Sequence, residues 1–210
     1  TITIKGLLEN YAVRPGEIST LRPDIFRPGY FSAFDVLIWA CGKNDIEIIY
    51  HFDEQRRTHV IDSIAGMTNW WYAAAYDGCF YPEEPVHRMD THPYKDAMRL
   101  EVYQVSRERI EAIYEAFRRQ AERLRRNNGK VIVPEVTISA QELQLRFENV
   151  EVEPHDLRCD MFQPGVITAA DVMLSLAERG KLTCELVWLD RVGRALVQGY
   201  FFARFDDKTA

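Results

Sequence analysis

The sequence predicts an α+β protein of two related modules, each a small mixed sheet carrying one helix, joined by a long amphipathic helix. Three observations carry the prediction. Residues 21–37 (LRPDIFRPGYFSAFDVL) and 157–173 (LRCDMFQPGVITAADVM) match without a gap at 9 of 17 positions, at a constant offset of 136. Two copies are too few for a solenoid and read as a duplicated module. Each copy then passes from a Pro-Gly turn through a helix start into β-branched and aromatic runs. Between the copies, a charged segment carries an apolar stripe at helical spacing.

The elements follow in chain order. Residues 1–8 read as a strand, and Thr1-Ile2-Thr3-Ile4 echoes Val136-Thr137-Ile138; Glu9-Asn10 likewise echoes Glu148-Asn149. Pro28-Gly29 and Pro164-Gly165 are turns. Ser32 and Thr168 then stand where an N-cap belongs, and Asp35 and Asp171 complete a capping-box pattern. Helices over 33–41 and 169–178 follow, with Gly42 and Gly180 as their stops. Residues 46–52 and 183–189, 60–64 and 195–205, 98–105 and 136–147 read as strands. Trp71 to Asp77 (WYAAAYD) echoes Tyr200 to Asp206 (YFFARFD). In 106–128, Ile110, Ile113, Tyr114, Phe117, Ala121 and Leu124 form one helical stripe. The arginines opposite (Arg118, Arg119, Arg123, Arg125, Arg126) are balanced by Glu108, Glu111, Glu115 and Glu122, a solvated face rather than a polyanion site. The expected domains are 1–105, a first module with an aromatic and His-rich insertion; 106–129, the connecting helix; and 130–210, a second, shorter module.

Composition narrows the function. The chain is 47% hydrophobic and 28% charged, with 26 basic against 32 acidic residues and a net charge of −6. That argues for a globular fold and against a nucleic-acid partner, which needs a basic face. No segment approaches the roughly 20 apolar residues of a membrane span. Cys41, Cys79, Cys159 and Cys184 lack zinc-knuckle or CxxC spacing and read as buried free thiols. The chain opens at Thr1 rather than Met, which reads as N-terminal trimming of a soluble protein, cytoplasmic or exported. Exposed sheet edges would allow a homo-oligomer. No GxGxxG, Walker loop, GxSxG or HExxH is present, so neither an organic cofactor nor a metal is expected.

Ser-Ala-Phe-Asp-Val-Leu opens the first helix. After it come Ile61-Asp62-Ser63-Ile64-Ala65-Gly66, Trp70-Trp71-Tyr72, Tyr76-Asp77-Gly78 and finally Leu100-Glu101-Val102-Tyr103. This order resembles the transcobalamin C-terminal-like domain family, in which a TAFDAL helix start, an I-x-G turn, a WMYYVNG strand and a DGD turn recur in sequence. The resemblance covers about residues 30–105, and the helix part again at 166–205. It implies a β-grasp-like fold for each module, and for function a non-catalytic module that binds a small ligand such as a corrinoid. In this chain the family's Asn-Gly turn is Asp77-Gly78, and the Asp-Gly-Asp turn is replaced by His92-Pro93-Tyr94-Lys95-Asp96.

What both copies hold reads as scaffold, and what one copy alone holds reads as a candidate for function. The first copy alone carries residues 79–105. Trp70, Trp71, Tyr72, Phe80, Tyr81, Arg88 and Tyr94 are expected to shape a substrate pocket, with His87, Asp90, His92, Tyr76 and Asp77 as acid–base groups. Histidine suits this work because its ordinary pKa lies near neutrality. Trp70 and Tyr72 share one strand face and Trp71 takes the other, so at least one face is expected to be core. Asp90-Thr91-His92-Pro93 is also good turn chemistry, and Asp77-Gly78 a good hairpin turn. The expectation is a cofactor-independent lyase, isomerase or hydratase acting on a small, largely apolar molecule such as a terpenoid or epoxide. The alternative is the non-catalytic binding module that the resemblance implies.

Overall fold

The computed structural model describes residues 1–75, 87–140, 143–193, 195–206 and 208–209. The fold is mixed α+β, as the sequence predicts, with its strands in small sheets. The chain divides into two compact units. The first contains Thr1–Glu122 and, among its additions, Asp160–Gln163; the second contains Arg123–Cys159, Pro164–Gly193 and Val197–Ala210.

In the first unit, β1 (Ile2–Ile4) and β2 (Leu8–Tyr11) form an antiparallel hairpin. The single strand expected over 1–8 is therefore broken. Gly6 sits at φ +78°, a conformation that favours glycine, and Leu7 N–H closes the turn onto the Ile4 carbonyl at 2.9 Å. β6 (Arg99–Gln104) runs parallel to β1, and β5 (Trp70–Ala75) antiparallel to β6, giving the order β2-β1-β6-β5. The register puts Ile2, Ile4, Leu100, Val102, Tyr72 and Ala74 on one face, and all are buried. Phe34, Val36, Leu37, Ala40 and Cys41 of α1 (Ala33–Lys43) join them in one core. Burial there pushes the Cys41 thiol up to about 12. On the other face, Trp71 packs against Tyr114 and Phe117 of α2 (Arg107–Arg126), each with ring centroids 6.2 Å away. β3 (Ile48–Asp53) and β4 (Thr58–Ile64) form a separate antiparallel pair.

The start of α1 is built as its sequence suggests. Ser32 Oγ donates to Asp35 Oδ2 at 2.6 Å and accepts from Asp35 N–H at 3.1 Å, while Ser32 N–H donates back to Asp35 Oδ2 at 2.7 Å. The other carboxylate oxygen takes Leu21 N–H at 2.8 Å, which ties the repeat's first residue to the helix. Ser32→Ala is expected to cost about 1–2 kcal/mol, read by urea unfolding; a change within experimental error would remove the cap from the account. The end of α1 differs from expectation, because Gly42 lies inside the helix. Asn44 caps it, with Nδ2 donating to the Ala40 carbonyl at 2.8 Å, and Asp45 takes φ +52°. Asn and Asp tolerate the left-handed region, so no glycine is needed there.

The segment Asp160–Gln163 of the first unit pairs with residues 25–27. Arg27 N–H donates to Met161 O at 2.9 Å, Gln163 N–H donates to Ile25 O at 2.8 Å, and Phe26 bridges Phe162 with ring centroids 5.7 Å apart. At the offset of 136, Ile25, Phe26 and Arg27 correspond to Met161, Phe162 and Gln163. The central residues of this pairing are thus each other's repeat counterparts.

The second unit contains β7 (Val131–Ala140) and β8 (Leu143–Val152), paired antiparallel from Val131↔Val152 to Ala140↔Leu143. The single strand expected over 136–147 is therefore two strands. That stretch contains no Gly or Pro to mark the reversal. α3 (Ala169–Glu178) packs on β8, and Val136, Ile138, Val150, Val152, Leu176, Leu182 and Phe205 form the core. Gly180, at φ +64°, does end its helix: its N–H donates to Ala177 O, and Lys181 N–H donates to Leu176 O at 3.0 Å. β9 (Cys184–Val192), β10 (Ala195–Phe205) and β11 (Lys208–Thr209) make a sheet in the order β11-β10-β9. Cys41, Cys159 and Cys184 are free thiols, but Cys159 is exposed rather than buried as expected, and Cys184 is only partly covered. Cys79 lies outside the described residues.

Candidate functional site

The site residues predicted from sequence converge on β5 and on residues 87–94 of the first unit. Tyr76, Asp77, Phe80 and Tyr81 lie outside the described residues. Trp70, Trp71 and Tyr72 are all buried, so both faces of β5 are core. Trp70 Nε1–H donates to Met67 O at 2.7 Å. Arg88 reaches back to the carbonyls of Arg56 and Phe117, with its guanidinium 4.7 Å from the Phe117 ring centroid. Tyr94 stacks on Phe31 at 5.5 Å, and burial pushes its hydroxyl up to about 12.

Asp90 is the centre of the segment, and its side chain is 1% exposed. Its Oδ2 accepts from Arg22 Nη1 at 2.8 Å, from His59 N–H at 2.9 Å, and lies 3.0 Å from His59 Nδ1. Its Oδ1 accepts from Thr58 Oγ1 at 2.7 Å. Burial pulls the Asp90 pKa up, but the hydrogen bonds from His59 and Thr58 and the charge of Arg22 outweigh it, and the net direction is down. Asp90 is therefore an ionised, saturated acceptor. Arg22 also forks onto Asp24, at 2.9 and 2.7 Å, and lies 5.4 Å from the Phe52 ring centroid. His59 stacks on Phe34 and meets Phe52 edge-on, both at 5.1 Å.

His92 makes a second cluster. The Tyr72 hydroxyl donates to His87 O at 3.0 Å and lies 3.0 Å from His92 Nδ1. The phenol thus joins the His87 carbonyl to the His92 ring, and which of Tyr72 and His92 donates in the second contact follows the tautomer of His92. Burial first, then the charges of His87 and Lys95, hold His92 down to about 4. The exposed His87 ring lies 5.7 Å from it. The His92 backbone is also engaged, because its carbonyl accepts from Ala33 N–H at 2.8 Å. The segment is thus fastened to the N-terminus of α1.

Among the described residues, no group of three or more His, Cys, Asp or Glu side chains is arranged to hold a metal. No protein-family model, curated protein or solved structure matches this chain. An open groove of about 440 Å3 lies in the second unit, lined by Arg123, Arg126, Asn127, Ile132, Pro134, Asn149 and Glu151. None of the residues predicted from sequence lines it. No described helix is long and apolar enough to cross a membrane.

Sequence reasoning placed Asp90 among the acid–base groups and passed over the residues that saturate it. Arg22 recurs as Arg158, so subtraction of one copy from the other counted it as scaffold. Neither Thr58 nor His59 could be tied to Asp90 from sequence, because each meets it only across more than 30 residues of chain.

Proposed function

We propose that the chain is a non-catalytic binding module whose recognition surface is residues 87–94 of the first module, and that both modules are β-grasp-like. The observation that carries the reading is the saturation of Asp90 by Arg22, Thr58 and His59. A carboxylate held this way fixes a loop and has no role in moving protons. The buried Trp70, Trp71 and Tyr72 support the same reading, since they fill a core instead of walling a cavity. The β-grasp-like assignment is supported by the order β2-β1-β6-β5, with its hairpin, helix and parallel β1–β6 pair. In the second unit a hairpin, a helix and further strands recur in the same chain order. The ligand is a small, largely apolar molecule, met by the exposed His87 and the half-buried Tyr94.

Native mass spectrometry and a visible spectrum of the protein as purified come first. A thermal-shift panel of flat, apolar molecules, including a corrinoid, follows. The expected result is a ligand that raises Tm without being consumed, with affinity reduced in Tyr94→Ala and His87→Ala.

A second reading is favoured by His92 alone. A neutral imidazole, oriented through Nδ1 by Tyr72, is the arrangement of a general base. It would serve a lyase, isomerase or hydratase acting on a small epoxide or terpenoid. Turnover of such a substrate, lost in a folded His92→Gln variant, would replace the binding reading with this one.

A further inference from the structure

The arginines of α2 read from sequence as a solvated face, yet two of them share a hollow. Arg123 and Arg126, in the last turn of the helix, line the open groove of about 440 Å3 in the second unit. Side chains three residues apart on a helix are neighbours, so the two guanidiniums can converge on one point. Their helical neighbours do not neutralise them. Three and four residues before Arg123 stand Gln120 and Arg119, and before Arg126 stand Arg123 and Glu122. Glu122 is held by Arg118, which also takes Glu115 at 2.6 Å. Among the described residues neither groove arginine is paired with a carboxylate.

The rest of the lining decides what this pair of charges can hold. Glu151 is the one acid among the described lining residues, and Lys130 Nζ meets its carboxylate at 2.7 Å. A helix C-terminus ordinarily repels an anion, because its free carbonyls form the negative pole. Here the carbonyls of Arg123, Leu124 and Arg125 are taken by the N–H groups of Asn127, Gly129 and Asn128, at 3.0, 2.8 and 3.1 Å. Ile132 and Pro134 of β7 supply an apolar floor. The volume is that of a site for one small molecule.

We propose that this groove binds a small organic phosphate monoester, with the phosphate between Arg123 and Arg126 and the organic part on Ile132 and Pro134. A phosphate monoester brings close to two negative charges at neutral pH and three acceptor oxygens, enough for two guanidinium forks. A carboxylate brings only one charge to two cations. The site lies in the second unit and stands apart from the function proposed for residues 87–94.

The test is isothermal titration calorimetry of the full chain with phenyl phosphate, inorganic phosphate and phenyl sulfate. Phenyl phosphate is expected to bind about tenfold more tightly than inorganic phosphate, the effect of covering part of the ring. It is expected to bind about tenfold more tightly than the singly charged phenyl sulfate, the scale of one hydrogen bond to a charged group. Arg123→Gln and Arg126→Gln are each expected to weaken phenyl phosphate about tenfold. Arg125→Gln removes the same charge from the same turn, but Arg125 does not line the groove. That variant is expected to leave the affinity within about twofold, because salt screens a charge that makes no contact. Ile132→Thr is expected to bring phenyl phosphate down to the affinity of inorganic phosphate. Circular dichroism checks that each variant is folded. No saturable binding, equal affinity for phenyl phosphate and phenyl sulfate, or an equal loss in Arg125→Gln overturns the proposal. So does inorganic phosphate that binds as tightly as phenyl phosphate.

Discussion

Arg22→Ala is expected to lower the free energy of unfolding by about 3–5 kcal/mol, the cost of leaving one partner of a buried ion pair uncompensated. The abandoned group is Asp90, 1% exposed and ionised. The second Arg22 contact, to Asp24, contributes little, because that carboxylate is 59% exposed. Arg22→Lys is expected to recover less than half of the loss, since a single ammonium cannot fork onto Asp24 while meeting Asp90. The double variant Arg22→Met with Asp90→Leu is expected to be more stable than Arg22→Ala alone, because it buries no lone charge. Urea unfolding of the three proteins decides the matter. A loss below about 1 kcal/mol in Arg22→Ala, the range of a surface pair, would mean that the network does not hold the loop.

The second large effect is acid destabilisation through His92. Its imidazole is neutral in the folded protein, held at about 4 against an ordinary 6.5. As pH falls, the unfolded chain takes up the proton first. The stabilisation is therefore complete above about pH 6.5 and is lost progressively towards pH 4, by about 3 kcal/mol in all. Asp90 acts lower still. Its folded pKa lies below the ordinary 3.8, so its contribution stays intact above that value and fades beneath it. Unfolding free energies at about pH 7, 5.5 and 4.5 should fall steeply for the parent and far less for His92→Gln. The same slope in both proteins would assign the acid sensitivity elsewhere.

The parts of this fold that sequence made legible are those fixed by neighbours in the chain. Both capping boxes could be read from residues three apart, and the stripe Ile110, Ile113, Tyr114 and Phe117 does face the core. Breaks in regular structure were harder. Gly42 looks like a stop but stays helical, because Asn44 and Asp45 do that work two residues later. The β7–β8 reversal lacks a turn residue, so an alternating pattern ran straight through it. Alternation put Trp70 and Tyr72 opposite Trp71. It did not reveal that core covers both sides of β5, which depends on where α2 packs. The site was hardest of all. Asp90 and His92 stand out by composition, yet their chemistry is set by Arg22, Thr58 and Tyr72, which the chain brings from 20 to 68 residues away.

The pairing of residues 25–27 with 161–163 bears on how this sequence is free to drift. Phe26 faces Phe162, its own duplicate, and the flanking backbone bonds are exchanged in kind. A gene duplication ordinarily releases one copy to wander while the other keeps the original duty. Here that release is withheld at the Phe26–Phe162 pair, because a bulkier or smaller ring in one copy is felt at once by the other. Natural variants of this protein should therefore change positions 26 and 162 as a couple, and a double-mutant cycle across them should be strongly non-additive.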